Sequence, residues 1–184
     1  MTDVNTKCLD TFPGWLRSLD EDVQLVFRAI ENTELPVEAR RFLVGGINYL
    51  FRSLDLIPDG IDDIGYLDDA FVLRLSVKSA LEENTDALDP ELMAKLGQLA
   101  NDVDLIEQLL EKDVFDRLDK YTRDLRKGAA RGRTVDEIVE DENVFKEFVS
   151  EVGSFVKGYT SPGFAKDQKN LIKLEAFLEA KLPK

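Results

Sequence analysis

The chain has 184 residues, 43% of them hydrophobic, which is enough for one folded domain or two small ones. Its 37 acidic and 24 basic residues give a formal net charge of -13, which repels phosphate backbones and argues against nucleic acid as a partner. Because histidine is absent and cysteine occurs once, the usual general base and zinc ligands are missing, and a bound metal would be a hard cation held by carboxylates.

The composition favours a cytoplasmic protein without a cofactor. The single cysteine, Cys8, cannot form an intramolecular disulfide, and we place it in an N-terminal tail. A chain without disulfides is typical of a reducing compartment. The longest apolar runs, such as 70–73, fall far short of the about 20 residues needed to span a bilayer. The start of the chain carries Asp3, Lys7 and Asp10 instead of the apolar core of a secretory signal. We therefore expect no integral membrane segment.

Apolar residues recur at helical spacing through the first half of the chain. They predict a first helix over 13–32, a second over 36–51 and a third from 65 or 66 to about 83. The pair Gly45 and Gly46 lies in the middle of the second helix, where each glycine costs about 1 kcal/mol relative to alanine. This cost indicates close approach of another helix. The third helix is apolar nearly all round, which is typical of a buried central helix.

A long apolar stripe with steps of three and four residues follows over 90–127. It predicts either one continuous helix or two helices separated at Asn101 and Asp102. After a small, basic boundary segment, Thr134 and Glu137 have the spacing of a capping box.

These elements predict an all-α bundle of about six or seven helices with a long or broken central helix. We expect a helical domain over 1–127 and a C-terminal helical hairpin over 134–184. The two parts are expected to pack together as one globular unit.

The most informative stretch lies between helices two and three, where six aspartates alternate with apolar residues. Aspartate is rarely fully buried, so carboxylates at this density must cap, pair or bind something. In a structural interpretation, the aspartates cap turns and form ion pairs that join the two helices. The members of this predicted cluster are Asp55, Asp59, Asp68 and Asp69, with Arg74 as the expected partner.

A second interpretation is a site for magnesium, manganese or calcium, which would organise a phosphate-containing substrate or activate water. It predicts a phosphohydrolase-like enzyme. The spacing lacks the alternate oxygen ligands and terminal glutamate of a calcium-binding loop, and it lacks the aspartate motif of helical isoprenoid synthases. The candidate ligands, if a metal is bound, are Asp59, Asp62, Asp63, Asp68 and Asp69.

A third interpretation is a docking surface for another protein. Exposed Leu56, Ile57 and Ile61 beside unpaired carboxylates would support it, because contiguous apolar patches usually mark contacts.

Basic residues near the 128–132 boundary either satisfy a helix C-terminus or contact an anion or acidic partner. The residues in question are Arg126, Lys127, Arg131 and Arg133.

The segment Tyr49 to Ala70 resembles the signature of the YkvA-like family, bacterial proteins built around a short domain of unknown function. The shared residues are Tyr49-Leu50, Leu54-Asp55-Leu56-Ile57-Pro58-Asp59, Ile61 and Ile64-Gly65-Tyr66-Leu67-Asp68-Asp69-Ala70. The resemblance implies a bacterial origin and no particular activity. Many members look membrane-associated, so peripheral attachment to a membrane is one alternative that it raises.

Three places depart from that signature. Arg52 and Ser53 stand where serine and proline are usual, Gly60 replaces a bulky residue, and Asp62 and Asp63 replace proline and an apolar residue. These changes predict a more flexible and more acidic loop than the family pattern has.

We expect a non-catalytic protein-interaction or scaffolding module that binds another protein or a second copy of itself. The alternatives are a hard-metal phosphohydrolase-like enzyme that uses the aspartates, and a peripheral membrane protein.

Overall fold

The computed structural model describes residues 3–61 and 63–184 and confirms the all-α bundle. Within these residues the helices are shorter and more numerous than the six or seven predicted. The helices are α1 (Val4–Arg17), α2 (Leu19–Ile30), α3 (Val37–Tyr49), α4 (Leu67–Leu81), α5 (Pro90–Asn101), α6 (Val103–Leu109), α7 (Lys112–Asp124), α8 (Val135–Glu140), α9 (Glu142–Gly158) and α10 (Gln168–Lys181). A 3₁₀ turn (Leu125–Lys127) follows α7, and β1 (Ala129–Ala130) pairs antiparallel with β2 (Arg133–Thr134).

The predicted first helix is two helices, because the chain leaves helical geometry at Ser18 (φ -99°, ψ 5°). The α1 helix starts at Val4 and includes Pro13, where the sequence had predicted a start. Cys8 is therefore part of α1 and fully buried, and this burial raises the pKa of its thiol to about 11. The prediction that Cys8 lies in a tail is wrong, because the sequence pattern before Pro13 was too short to register as a helix.

The centre of the bundle is the pair α3 and α4, and nearly every residue of α4 is buried. A Cβ on Gly46 would lie 2.5 Å from the Ser76 hydroxyl oxygen on α4, and one on Gly45 would lie 2.9 Å from the Leu125 carbonyl carbon. Both glycines thus allow a close approach of the neighbouring element that alanine would prevent. The predicted close helix approach is confirmed, and so is the central position of the third predicted helix.

The stripe over 90–127 is not one helix. It breaks after Asn101, as the sequence allowed, and again where Leu110 and Glu111 adopt extended backbone (ψ 146° at both). The three helices α5, α6 and α7 all pack against α4. A straight helix of this length would run past α4, whereas the two breaks keep the apolar stripe in contact with it.

The C-terminal part begins with the predicted capping box. The Glu137 N–H donates to the Thr134 hydroxyl oxygen (3.0 Å), and the Thr134 N–H donates to the Glu137 carboxylate (2.8 Å). Beyond it, α9 packs on α8 and α2, while α10 packs on α1 and α7. The two long helices of the expected hairpin thus dock on different sides of the bundle.

Two further features complete the fold. The Tyr159 hydroxyl, just after α9, donates to the Leu16 carbonyl oxygen (2.5 Å) and so ties the α9–α10 connection to α1. The short strand pair at 129–134 was not predicted, and its turn places Arg131 and Gly132 at positive φ (50° and 76°). Across the ranges 3–61 and 63–184, none of the helices has the length and apolar character needed to cross a bilayer.

Candidate functional site

The α3–α4 connection, residues 50–66, carries four of the six aspartates of the motif, and the structure describes it at 50–61 and 63–66. A Cβ on Gly65 would collide with the carbonyl oxygens of Asp59 and Ile61, so this position needs glycine. Tyr66, the residue before α4, has a positive φ of 67°. The backbone directly before α4 is therefore constrained at both Gly65 and Tyr66.

A hydrogen-bonded centre holds this connection to both helices. The Tyr49 hydroxyl, at the end of α3, donates to Asp68 Oδ2 on α4 (2.5 Å) and accepts a hydrogen bond from the Leu56 N–H (2.8 Å). The Ile57 N–H donates to the same Asp68 oxygen (3.1 Å). Tyr49 and Asp68 are both fully buried. We call Tyr49, Asp68 and these two backbone groups the Tyr49–Asp68 clamp.

Asp69 is the neighbouring acid on α4 and is also buried. Burial is the main cause that raises the pKa of both Asp68 and Asp69, since a carboxylate loses its water there. The hydrogen bonds from Tyr49 and Ile57 oppose this effect at Asp68, whereas the charges of Asp68, Asp59 and nearby Asp55 raise the pKa of Asp69 further. Burial and the neighbouring charges therefore favour the protonated form of Asp69, whereas two hydrogen bonds help to stabilise the charged form of Asp68.

The other aspartates of the motif are spread over the connection. Asp55 is half-buried, and its pKa rises to about 7 through burial and the charges of Asp59 and Asp68. Asp59 is exposed, and Asp63 accepts a hydrogen bond from the Ala165 N–H (3.2 Å) in the α9–α10 connection. The predicted metal ligand Asp62 lies outside the described residues.

The predicted pairing of Arg74 with these aspartates is wrong. Its guanidinium donates from Nε to Asp102 (2.9 Å) and from Nη2 to Asp22 (3.1 Å), and it lies 4.1 Å from the Trp15 ring centroid. On a helix with 3.6 residues per turn, Arg74 is rotated about 140° from Asp69, so the two side chains face different neighbours. Arg74 instead joins α4 to α2 and to the α5–α6 junction, beside a cleft of about 780 Å³.

In the structure, the four basic residues of the predicted anion or partner contact have different environments. Arg126 pairs with Glu38 (3.1 Å), and Arg133 is buried and pairs with Glu151. Lys127 and Arg131 are exposed. The Arg131 guanidinium lies 5.1 Å from the Phe51 ring centroid and 3.5 Å from the Glu151 carboxylate that Arg133 also uses. Three of the four cations thus have carboxylate partners inside the fold, and Arg131 also lies beside the α3–α4 connection.

Exposed apolar surface on this connection differs from the sequence expectation. Leu56 and Ile57 are buried and Ile61 is partly buried, whereas Leu54 is 81% exposed. Leu54 borders a groove of about 210 Å³ between Arg52, Ser53 and Leu54 on one side and 129–132 on the other. We call this feature the Leu54 groove. Sequence reasoning missed it because its two sides are far apart in the chain.

Within the described ranges, no group of three or more histidine, cysteine, aspartate or glutamate side chains is placed to hold a metal ion. Asp55, Asp68 and Asp69 each have a buried oxygen without a hydrogen-bond partner. The raised pKa of Asp69 favours a protonated carboxyl at that position, and a protonated carboxyl can donate a hydrogen bond.

Comparison of the chain with protein-family models, with curated proteins and with solved structures finds no match. The resemblance of 49–70 to the YkvA-like family stays a prediction, as does the bacterial origin that it implies. A functional proposal therefore depends on the geometry of the described residues.

Proposed function

We propose that this chain is a non-catalytic protein-interaction module that docks its partner at the Leu54 groove. The observation that carries the proposal is the 81% exposure of Leu54 on a connection in which Phe51, Leu56 and Ile57 are buried. A leucine side chain gains about 1.5–3 kcal/mol when it moves from water into an apolar contact. A partner that covers Leu54 would gain this free energy on binding.

Leu54 differs from an ordinary exposed apolar residue because contacts on both sides of it hold the backbone in place. Isolated apolar side chains are common on protein surfaces and need no function. Leu54, however, lies two residues before Leu56, whose N–H the Tyr49–Asp68 clamp holds. The flanking Phe51 is buried and contacts Phe148 of α9, with the ring centroids 6.3 Å apart. Binding of a partner therefore costs little conformational entropy, because this surface is already ordered.

Site-specific crosslinking in cells tests this proposal. A photoreactive amino acid replaces Leu54 in one variant and Ile172 in another, because Ile172 is a 67% exposed apolar residue on α10, away from the groove. We expect a discrete crosslinked product from position 54 and none from position 172. Crosslinks at both positions or at neither would contradict a docking role for the groove.

The sequence-based alternatives stay predictions and have separate tests. If the chain is a hard-metal enzyme, calorimetric titration with magnesium, manganese or calcium should show saturable binding. The substitutions Asp68→Asn and Asp69→Asn should abolish that binding. Peripheral membrane attachment requires co-sedimentation with neutral or anionic liposomes. Either result would favour that alternative over the interaction module.

A further inference from the structure

We infer that the partner at the Leu54 groove is a segment of a different protein in which one large apolar side chain is flanked by acidic residues. This inference rests on the proposed function, because it names the partner of the same surface. Three properties of the groove lead to it: its size, its charge and its lack of self-complementarity.

The size of the groove fits a side chain. Pockets for small molecules usually have volumes of roughly 300–1,000 Å³. The Leu54 groove has about 210 Å³, with Leu54, Ala129 and Ala130 as apolar lining residues. One large apolar side chain of a partner fits this space, and its contact with Leu54 would shield both from water.

The charge around the groove is locally positive although the chain as a whole is acidic. Arg52 and Arg131 line opposite sides of the groove. Glu151 lies within ion-pair distance of both Arg131 and Arg133, so one carboxylate serves two guanidinium groups and leaves positive charge in excess. Asp55 is the acid that interacts with Arg52. Acidic residues beside the inserted side chain would complement the two arginines.

The net charge of -13 repels an acidic partner only at long range. At physiological ionic strength such repulsion is largely screened beyond about 8 Å, so the arginines dominate once the surfaces touch. A second copy of this chain fits the groove poorly. A two-fold dimer would place Arg52 and Arg131 against the same arginines of the other copy, because such an interface pairs one patch with itself. Self-association about a two-fold axis at the groove is therefore disfavoured, and the inferred partner is a different chain.

Three synthetic peptides of equal length test the partner's chemistry against the full chain by fluorescence anisotropy. The first places four glutamates around a leucine-phenylalanine pair, the second replaces the glutamates by lysines, and the third replaces the apolar pair by serines. We expect saturable binding of the first peptide alone, weakened by added salt. Leu54→Ser and the double variant Arg52→Gln/Arg131→Gln should each weaken it at least about tenfold, whereas the control Ile172→Ser should leave it unchanged.

Equal or tighter binding of the lysine peptide would overturn the inference, as would glutamate-peptide binding that the groove variants leave unaltered. A dimer in analytical ultracentrifugation that Leu54→Ser dissociates would overturn it in favour of self-association. Circular dichroism of each variant confirms that it is folded. If position 54 crosslinks a partner but the peptides show no preference for acid, the inference fails and the proposed function stands. If position 54 yields no crosslink, the proposed function itself fails.

Discussion

Asp68 and Asp69 are adjacent acids with different hydrogen-bond environments. Asp68 accepts hydrogen bonds from the Tyr49 hydroxyl and the Ile57 N–H, which stabilise its charged form. Asp69 is equally buried, and its pKa is raised by burial and by the charge of Asp68. The folded chain therefore binds protons at these two acids more tightly than the unfolded chain does. This difference makes the stability of the protein depend on pH.

We expect the free energy of unfolding to fall as the pH rises from about 4 through about 7 and beyond. In this window the folded protein binds more protons than the unfolded chain, because the pKa values of Asp69, Asp68 and Asp55 are raised in the fold. Each such group contributes a slope of about 1.4 kcal/mol per pH unit between its unfolded and folded pKa. Asp69→Asn should flatten the profile and stabilise the protein at pH about 8.

Urea denaturation followed by circular dichroism at several pH values measures this effect. The control is Asp104→Asn, because Asp104 is an exposed acid on α6 and should leave the profile unchanged. A profile of Asp69→Asn that runs parallel to that of the unsubstituted protein would show that Asp69 carries no extra proton in the fold.

At the scale of elements, the contact between α3 and α4 depends on the missing side chain of Gly46. The hypothetical Cβ at this position meets both the Cβ (2.6 Å) and the hydroxyl oxygen (2.5 Å) of Ser76. Rotation of the Ser76 side chain cannot relieve the first of these contacts, since Cβ is fixed by the backbone. The two helices must therefore separate if position 46 carries any side chain.

Gly46→Ala should lower the free energy of unfolding by about 1–3 kcal/mol, although alanine favours a helix. The matched control is Gly97→Ala on α5, where nothing lies within 4 Å of the added Cβ. That substitution should raise the free energy of unfolding by up to about 1 kcal/mol, because only helix propensity changes. Urea midpoints measure both. Equal shifts for the two variants would show that α3 and α4 tolerate separation at this point, and the double variant Gly46→Ala/Ser76→Gly should recover part of the loss.

At the scale of the whole molecule, one hydrophobic core joins the N-terminal and C-terminal parts. It extends from Cys8 in α1 to Leu182 after α10. Phe148 of α9 is fully buried and contacts Phe27 of α2 and Phe51, with ring centroids 6.3 Å apart in each case. The C-terminal part thus shares its buried surface with the first 127 residues.

We expect the protein to unfold in one cooperative transition. Phe148→Ala should lower the unfolding midpoint by the equivalent of about 3–5 kcal/mol, because it empties a buried site. The shift should be the same by fluorescence of Trp15, the single tryptophan, which is in α1, and by circular dichroism of all helices. Val149→Ala, at a partly exposed neighbouring site, is the control. A shift in the circular dichroism transition without a shift at Trp15 would indicate two separately folding units.

Local sequence patterns were sufficient for the helical class, the capping box at Thr134 and Glu137, and the close approach at Gly45 and Gly46. Each of these features depends on a residue and its neighbours along one helix, so periodicity and residue type predict it. The same patterns failed at Arg74, because a charged residue shows no sequence signal for partners that come from distant helices.

The aspartate-rich segment also combines a feature that its sequence predicted with features that only the fold determined. Its density of carboxylates predicted that some of them must be capped or paired, since a buried charge without a partner is costly. Only the tertiary structure decided that Asp68 accepts a hydrogen bond from a tyrosine hydroxyl, that burial raises the pKa of Asp69, and that Leu54 instead of Leu56 reaches the surface. Burial and electrostatic fields sum over residues far apart in the chain, so these outcomes exist only after the chain has folded.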